Sequence, residues 1–400
     1  MIQGARKHLD SLAVAAGLCA VPLSIAVSET LLTIALVARV TALIRNRVTL
    51  DLPRVCWLWL IWAGLEVVSW LHSPQLSAGA GEMRHLLLLA AIFVILPALN
   101  RAGCKRAVWR GIFLTSTAGA IALIVTTVTR IVHYRPESIG GDAAFYVRNG
   151  GFLHHWMIYA VVELLIFGAL LEFRLFYPEE RKWATPALGI HCLAILFSLT
   201  RALWLGCFLI VGVHLLWRRS KWILVLPIVP VVAFQLAPYA VRSRVIDSSH
   251  ADYYSNTERV QMWHVGWKMV REHSLLGVGP GRIEALYASY LPAQEAVPAY
   301  HGHLHNNCLQ LAAQFGLPVL GAAVLWLAIL LKDLLKAYRR ARSREERFLC
   351  RSAFLGIGGF LIAGMTDYAY GHALGLILLS FVALSPLTGE SPGISRQRSL

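Results

Sequence analysis

The sequence predicts an all-α polytopic membrane protein of about twelve transmembrane helices, with one long outer loop that carries short amphipathic helices. Three observations predict this. The 400 residues are 57% hydrophobic and only 15% charged, where soluble domains carry about 25% charge. Thirteen Trp and 13 Tyr suit two interfacial aromatic belts. Apolar runs of near-spanning length recur along the chain, divided by short basic connections.

Taken in order, the apolar runs cover about 11–28, 30–44, 55–71, 85–99, 108–129, 152–172, 184–199, 201–217, 222–238, 305–331, 352–365 and 368–387. Nine fall within residues 1–238 and three within 305–400, which ends in a polar tail. Residues 239–304 form the outer loop. Near the start, Arg6 and Lys7 precede the first run, but no small-residue cleavage site follows it, so this run is expected to stay in the protein.

Orientation follows from the basic residues. With the N-terminus inside, 25 of the 37 Lys and Arg fall in inner connections and 11 in outer ones. The inner set includes Arg45, Arg47 and Arg54, then Arg101, Lys105, Arg106 and Arg110, then Arg218, Arg219 and Lys221, and eight from Lys332 to Arg351. It closes with Arg396 and Arg398, and Arg135 belongs to the outer set. Cytoplasmic loops are the basic ones, so both termini are expected in the cytoplasm. The net charge of +15 therefore reads as membrane topology, and no nucleic-acid partner is expected. Twelve spans also place Arg201, His305 and Asp367 on the same outer side.

The outer loop has its own pattern. Residues 247–253 are turn-rich, and residues 257–272 then read as a helix with Val260, Trp263, Val270 and Trp267 on one face. The run Leu276-Gly277-Val278-Gly279-Pro280-Gly281 breaks it. A second short helix follows, with Ile283, Leu286, Tyr287, Tyr290 and Leu291 together. Two such helices suggest a cap on the outer bilayer surface.

The chemistry-bearing residues gather at this side. His301, His303 and His305 alternate before Asn306 and a helical pattern. A His at a loop-to-helix junction meets solvent and accepts a proton near neutral pH. Arg201 sits between two spanning runs, where charge is expensive and commonly functional. Arg259 opens the first cap helix. Arg282 closes the glycine-rich turn, whose backbone can approach an anion, although no strand precedes it and no Lys-Ser/Thr follows as a nucleotide fingerprint would need. Asp367 is placed to pair with an arginine or to orient a histidine. Asp142, after two glycines, reads as solvated. The carboxylates Asp247, Asp252 and Glu258 are too scattered for a divalent metal, and the histidine alternation lacks an acidic or Cys ligand for Zn²⁺, so neither metal nor cofactor is expected. Seven Cys without a CxxC pair give no disulfide framework. Guanidinium forks with a base-capable His and flanking aromatics suit a lipid-tailed diphosphate substrate.

These residues resemble the O-antigen ligases and their polymerase-like relatives. The family's His-Asn, nine-residue gap and Gly is similar to His305-Asn306 followed by Gly316, although Val319 stands where Gly, Thr or Tyr is usual. Thr200-Arg201-Ala202-Leu203-Trp204 resembles its arginine motif. Arg259-Val260-Gln261-Met262-Trp263, with Gly277 and Gly279 downstream, resembles its second. The likeness runs over roughly residues 190 to 385.

The resemblance implies a metal-independent, inverting glycosyltransferase of the bacterial inner membrane, its outer loop in the periplasm. The donor would be O-antigen on undecaprenyl diphosphate and the acceptor lipid A–core, joined in lipopolysaccharide synthesis. It implies His305 as general base and Arg201 and Arg259 as diphosphate ligands. Arg282 is a further candidate there, with His303, Asn306 and Asp367 in support. One dominant outer loop favours a ligase over an O-antigen polymerase or a protein O-oligosaccharyltransferase. A lipid-linked oligosaccharide flippase fits less well, because few charges (Arg39, Glu66, Glu163) lie within spans.

Overall fold

The computed structural model describes residues 2–45, 52–99, 104–134, 146–298 and 301–388. Arg47, Arg101, Arg135, Asp142, Arg396 and Arg398 lie outside them. Among the described residues there is no strand. The α-helices are α1 (Ile2–Ala20), α2 (Ile25–Ile44), α3 (Arg54–Leu71), α4 (Leu76–Gly79), α5 (Arg84–Ala90), α6 (Ile92–Ala98) and α7 (Cys104–His133). Then come α8 (Trp156–Phe176), α9 (Arg181–Phe197), α10 (Arg201–Trp217), α11 (Ile228–Leu236), α12 (Tyr239–Ser249) and α13 (Tyr254–Glu272). The last are α14 (Ile283–Tyr290), α15 (Asn307–Phe315), α16 (Leu317–Arg340), α17 (Arg344–Gly364) and α18 (Ala373–Leu384).

Six of these are long and apolar enough to cross a membrane: α2, α3, α7, α8, α16 and α17. Shorter apolar helices span Asp10–Ala20, Arg84–Ala98, Arg201–Trp217 and Ala373–Leu387. Helix α8 carries apolar residues on every face, interrupted by Glu163 and Glu172, and is buried along most of its length, as a central helix should be. It packs against α10 and α17 at glycines, which bring the backbones close without any hydrophobic drive from lipid. A Cβ on Gly206 would stand 2.5 Å from Leu164, and one on Gly359 would stand 3.2 Å from the Leu164 Cβ.

Several expected spans are divided. The expected helix over 305–331 is two, because Gly316 (φ 92°) turns the chain where a Cβ would meet the Leu275 carbonyl oxygen at 2.1 Å. The segment after α13 fills the break, with the amides of Val278, Gly279 and Leu317 donating to Ala313, Gln314 and Ser274. The run 85–99 breaks at Ala91 into α5 and α6. The run 222–238 becomes a 3-10 turn, Lys221–Leu224, and the nine-residue α11, divided at Pro227, whose missing N–H interrupts the helix. Helix α17 starts earlier than its apolar run, at a capping box formed by Ser343 and Glu346. Residues 239–249, read as loop, are α12.

The cap helix α13 is also rotated from its expected face. Met262, Val265, Met269 and Val270 are buried, while Val260 and Trp267 are 47% and 52% exposed. Two apolar stripes overlap on this helix, and α15 selects one: Gly266 admits Leu304 and Leu309 close to the α13 backbone. Helix α14 matches its expected face, with Ile283 and Tyr287 buried and Leu286, Tyr290 and Leu291 against them.

Candidate active site

One end of the bundle collects the N-termini of α8 and α10, the helices α12 and α13, the segment before α15 and the turn after α17. A cavity of about 320 Å³ opens there, lined by Arg148, Arg201, Arg244 and Arg259. Asp367, Asn256, Thr200 and Thr366 complete its polar wall, and Met157, Ala160, Val161 and Leu205 its apolar one.

Each guanidinium is aimed by a defined contact. Thr200 is the N-cap of α10, so Arg201 projects from the first turn, and it donates to Asn256 Oδ1 at 2.7 Å. Arg259 lies one turn into α13 and donates to the Ser255 hydroxyl at 2.6 Å and the Thr366 carbonyl at 3.2 Å. Arg244 of α12 donates to the Tyr253 hydroxyl at 2.5 Å. Arg148 stacks over Trp156, its guanidinium carbon 4.3 Å from the ring centroid. Burial, and after it the neighbouring Arg244 and Arg259, push Arg148 down to about 9. Burial likewise lowers Arg259, with Asp367 opposing. The cluster thus holds its positive charge against desolvation and mutual repulsion, a cost that a bound polyanion would relieve.

Asp367 joins this cluster to the histidines. Its Oδ1 is 3.2 Å from His305 Nδ1 and accepts from the Tyr368 amide at 2.8 Å, while Oδ2 is 3.4 Å from His372 Nε2. Burial alone would raise its carboxyl, but the bonds to His305 and His372 hold it well below the usual carboxylate range. His303 lies beside His305, rings 4.4 Å apart, and is pushed down to about 3 by burial and then by His305. It is therefore neutral at pH 7.

Asn306 fastens the loop. Its side chain caps α15 by accepting from the Leu309 amide at 3.0 Å and donates to the Met365 carbonyl at 3.1 Å. Asn307 adds a second tie, accepting from the Tyr370 amide at 3.0 Å. His305 has φ 48°, and the other non-glycine residues with positive φ include His154 and Leu199, two residues before Trp156 and Arg201 respectively. Such strain persists only where surroundings enforce it, and it gathers at functional sites.

His303, His305 and Asp367 also present ligand atoms within 4.8 Å of one another, a set that could hold a metal ion. In the sequence the histidine alternation has no acidic partner nearby, so no metal is expected there. The fold supplies that partner, Asp367, from the turn after α17.

Of the residues singled out from sequence, the structure brings together Arg201, Arg259, His303, His305, Asn306 and Asp367. Arg282 stands apart. It donates to the Val278 carbonyl at 2.9 Å and lines a separate cavity of about 940 Å³ with Lys268, Glu272 and His273. Sequence reasoning missed Arg148, Arg244, Tyr368 and His372. A signal existed for Arg148, a cation shortly before an apolar run, as with Arg201. Arg244 had none, since its helix read as loop.

Residues 186–326 match the protein family described as O-antigen ligase. That range holds Arg201, Arg244, Arg259 and His305 but not Arg148, Asp367 or His372. No curated protein matches the chain.

Proposed function

Because residues 186–326 match the family described as O-antigen ligase, we propose that this chain is a ligase of lipopolysaccharide synthesis. In this reading it moves O-antigen polysaccharide from undecaprenyl diphosphate to lipid A–core. The observation that carries the proposal is an arginine-lined cavity that Asp367 connects to His305.

The diphosphate sits among Arg148, Arg201, Arg244 and Arg259, whose forks match phosphate oxygens. The lipid tail leaves along Met157, Val161 and Leu205, between α8 and α10. Asp367 holds His305 through Nδ1, and His305 takes the acceptor proton at Nε2. The acceptor oxygen attacks the anomeric carbon as the bond from that carbon to the diphosphate oxygen breaks. The proton passes to His305, and the charge developing on the leaving diphosphate falls among the guanidiniums. Four cations supply the neutralisation that a metal provides elsewhere, so transfer is metal-independent. Asp367, engaged by two histidines and an amide, is a poor nucleophile, and one direct displacement inverts the configuration. The site faces the periplasm of the bacterial inner membrane, with both termini in the cytoplasm.

The test is reconstitution with undecaprenyl-diphosphate-linked glycan and lipid A–core, in EDTA, comparing wild type with His305→Ala. Transfer by wild type alone supports the reading. Transfer that survives the substitution removes His305 as base, and dependence on added Zn²⁺ would make the His303/His305/Asp367 set a metal centre. Elongation of the lipid-linked donor without transfer to core would indicate a polymerase. A retained anomeric configuration would refute direct displacement.

A further inference from the structure

A second basic pocket lies at the opposite end of the bundle. Helix α17 runs 21 residues from Arg344 to Gly364, about 30 Å, which is the thickness of a bilayer's hydrocarbon core. The Asp367 turn follows its last residue, and the pocket of about 530 Å³ surrounds its first two turns. Trp217 and Arg218 come from the end of α10, Tyr338 and Arg339 from the end of α16, and Arg347 and Arg351 from α17.

Arg351 is the fixed floor of this pocket. It is 6% exposed and ion-paired to Glu172, with Nε 2.8 Å from Oε2, and its guanidinium carbon is 4.9 Å from the Trp217 ring centroid. Glu172 also contacts His214 Nδ1 at 2.7 Å, so its charge is already engaged below the pocket. Above the floor, Arg218, Arg339 and Arg347 are exposed. Among the described residues none of these three has a carboxylate partner. Arg347 and Arg351 are one helical turn apart and so share a face of α17.

The wall is aromatic. Trp217 and Tyr338 stack between α10 and α16, centroids 6.5 Å apart at 20°. Beside them Leu216 and Leu335 are 61% and 41% exposed, as acyl-chain contacts would be. A solvated rim of basic residues needs neither a buried, ion-paired arginine nor a stacked aromatic wall. Both are features of a recess that takes one phosphate with a lipid attached, since basic pockets between membrane helices bind anionic head groups. We infer that this pocket is a binding site for the headgroup of an anionic phospholipid, distinct from the arginine cavity at the other end.

Native mass spectrometry and thermal unfolding of the purified full-length protein in a neutral detergent test this. The probes are phosphatidylglycerol, phosphatidylcholine and inorganic phosphate. The variants are R218Q/R339Q, whose side chains are exposed, and R201Q/R259Q at the opposite end. Wild type and R201Q/R259Q should retain phosphatidylglycerol and gain a few degrees in Tm, and R218Q/R339Q should lose both. Equal retention of phosphatidylcholine, full retention by R218Q/R339Q, or loss in R201Q/R259Q would overturn the assignment. The same Tm rise with inorganic phosphate alone would reassign the pocket to a soluble anion.

Discussion

Asp367→Asn isolates the contribution of one charge at nearly constant shape. The carboxylate is 8% exposed at its side chain and sits 3.2 Å from His305 Nδ1. In the proposed transfer His305 becomes cationic as it takes the acceptor proton, so Asp367 stabilises the transition state more than the ground state. Two unit charges about 4 Å apart interact by about 4 kcal/mol at an effective dielectric near 20. A hydrogen bond to a charged group is worth about 1.5–3 kcal/mol net. Both estimates describe the same contact, so the loss should lie near 3–4 kcal/mol, or about 10²–10³ in kcat. The KM for donor should change little, because the arginines remain. The assay is single-turnover transfer at saturating donor, with Tm recorded to exclude unfolding. A kcat within about threefold of wild type, with Tm unchanged, would refute the role assigned to the His305–Asp367 pair.

Other perturbations separate binding from packing. Arg148→Gln and Arg244→Gln should each lower kcat/KM by about 10–100-fold, the worth of one charge-assisted phosphate contact, read from steady-state transfer. Gly316→Ala should destabilise by at least about 1–3 kcal/mol, since its φ of 92° and the Leu275 carbonyl leave no room for a methyl group; a Tm equal to wild type would contradict the break between α15 and α16. His303 is held neutral in the fold, pushed down to about 3, and its unfolded value is about 6.5. A lowered histidine stabilises fully above the unfolded value and progressively less as pH falls toward the folded one. Between pH 7 and pH 5 wild type should therefore lose about 2 kcal/mol that His303→Gln keeps, visible as a smaller fall in Tm.

How legible was the site? Arg201 could be found because a cation between two apolar runs violates the local pattern, and Arg259 because it opens the first cap helix four residues before Trp263. His305 could be found because three histidines precede a helix cap. Asp367 was visible as a carboxylate between two apolar runs, but its partners were not, since His372 and His305 lie on different sides of it in sequence. Arg244 was hidden by turn-forming residues that nevertheless continue as α12. The span reading failed at Gly316 and Pro227, where apolar composition continues but backbone geometry does not. Composition reports what a segment can be buried in, whereas a positive φ or a missing N–H decides where it turns. The α13 face was ambiguous for another reason: Met262, Val265 and Met269 repeat as well as Val260, Trp263 and Trp267, and only the neighbour α15 discriminates.

The carboxylates inside the bundle bear on the transporter alternative. Glu66 Oε2 is 2.5 Å from His85 Nε2, and its Oε1 accepts from Trp62 at 2.6 Å. Glu163 Oε1 is 2.6 Å from His191 Nδ1, and Glu172 takes both His214 and Arg351. Each acid is thus matched to a base on another helix. Glu163 and Glu172 stand nine residues apart on α8, about 13 Å, with apolar residues buried between them. A proton or ion path across the bundle would need polar groups in closer succession, near broken helices at the midplane. In the core the pairs instead fix which faces of α3 and α5, of α8 and α9, and of α8, α10 and α17 meet. Apolar surfaces in lipid specify little about register, so polar pairs are suited to that task. Beyond the helix ends, Asp367 departs from the pattern. It has two histidines rather than one, and it lines a cavity. The same carboxylate–histidine chemistry that fixes helices inside the bundle is there turned toward space large enough for a substrate.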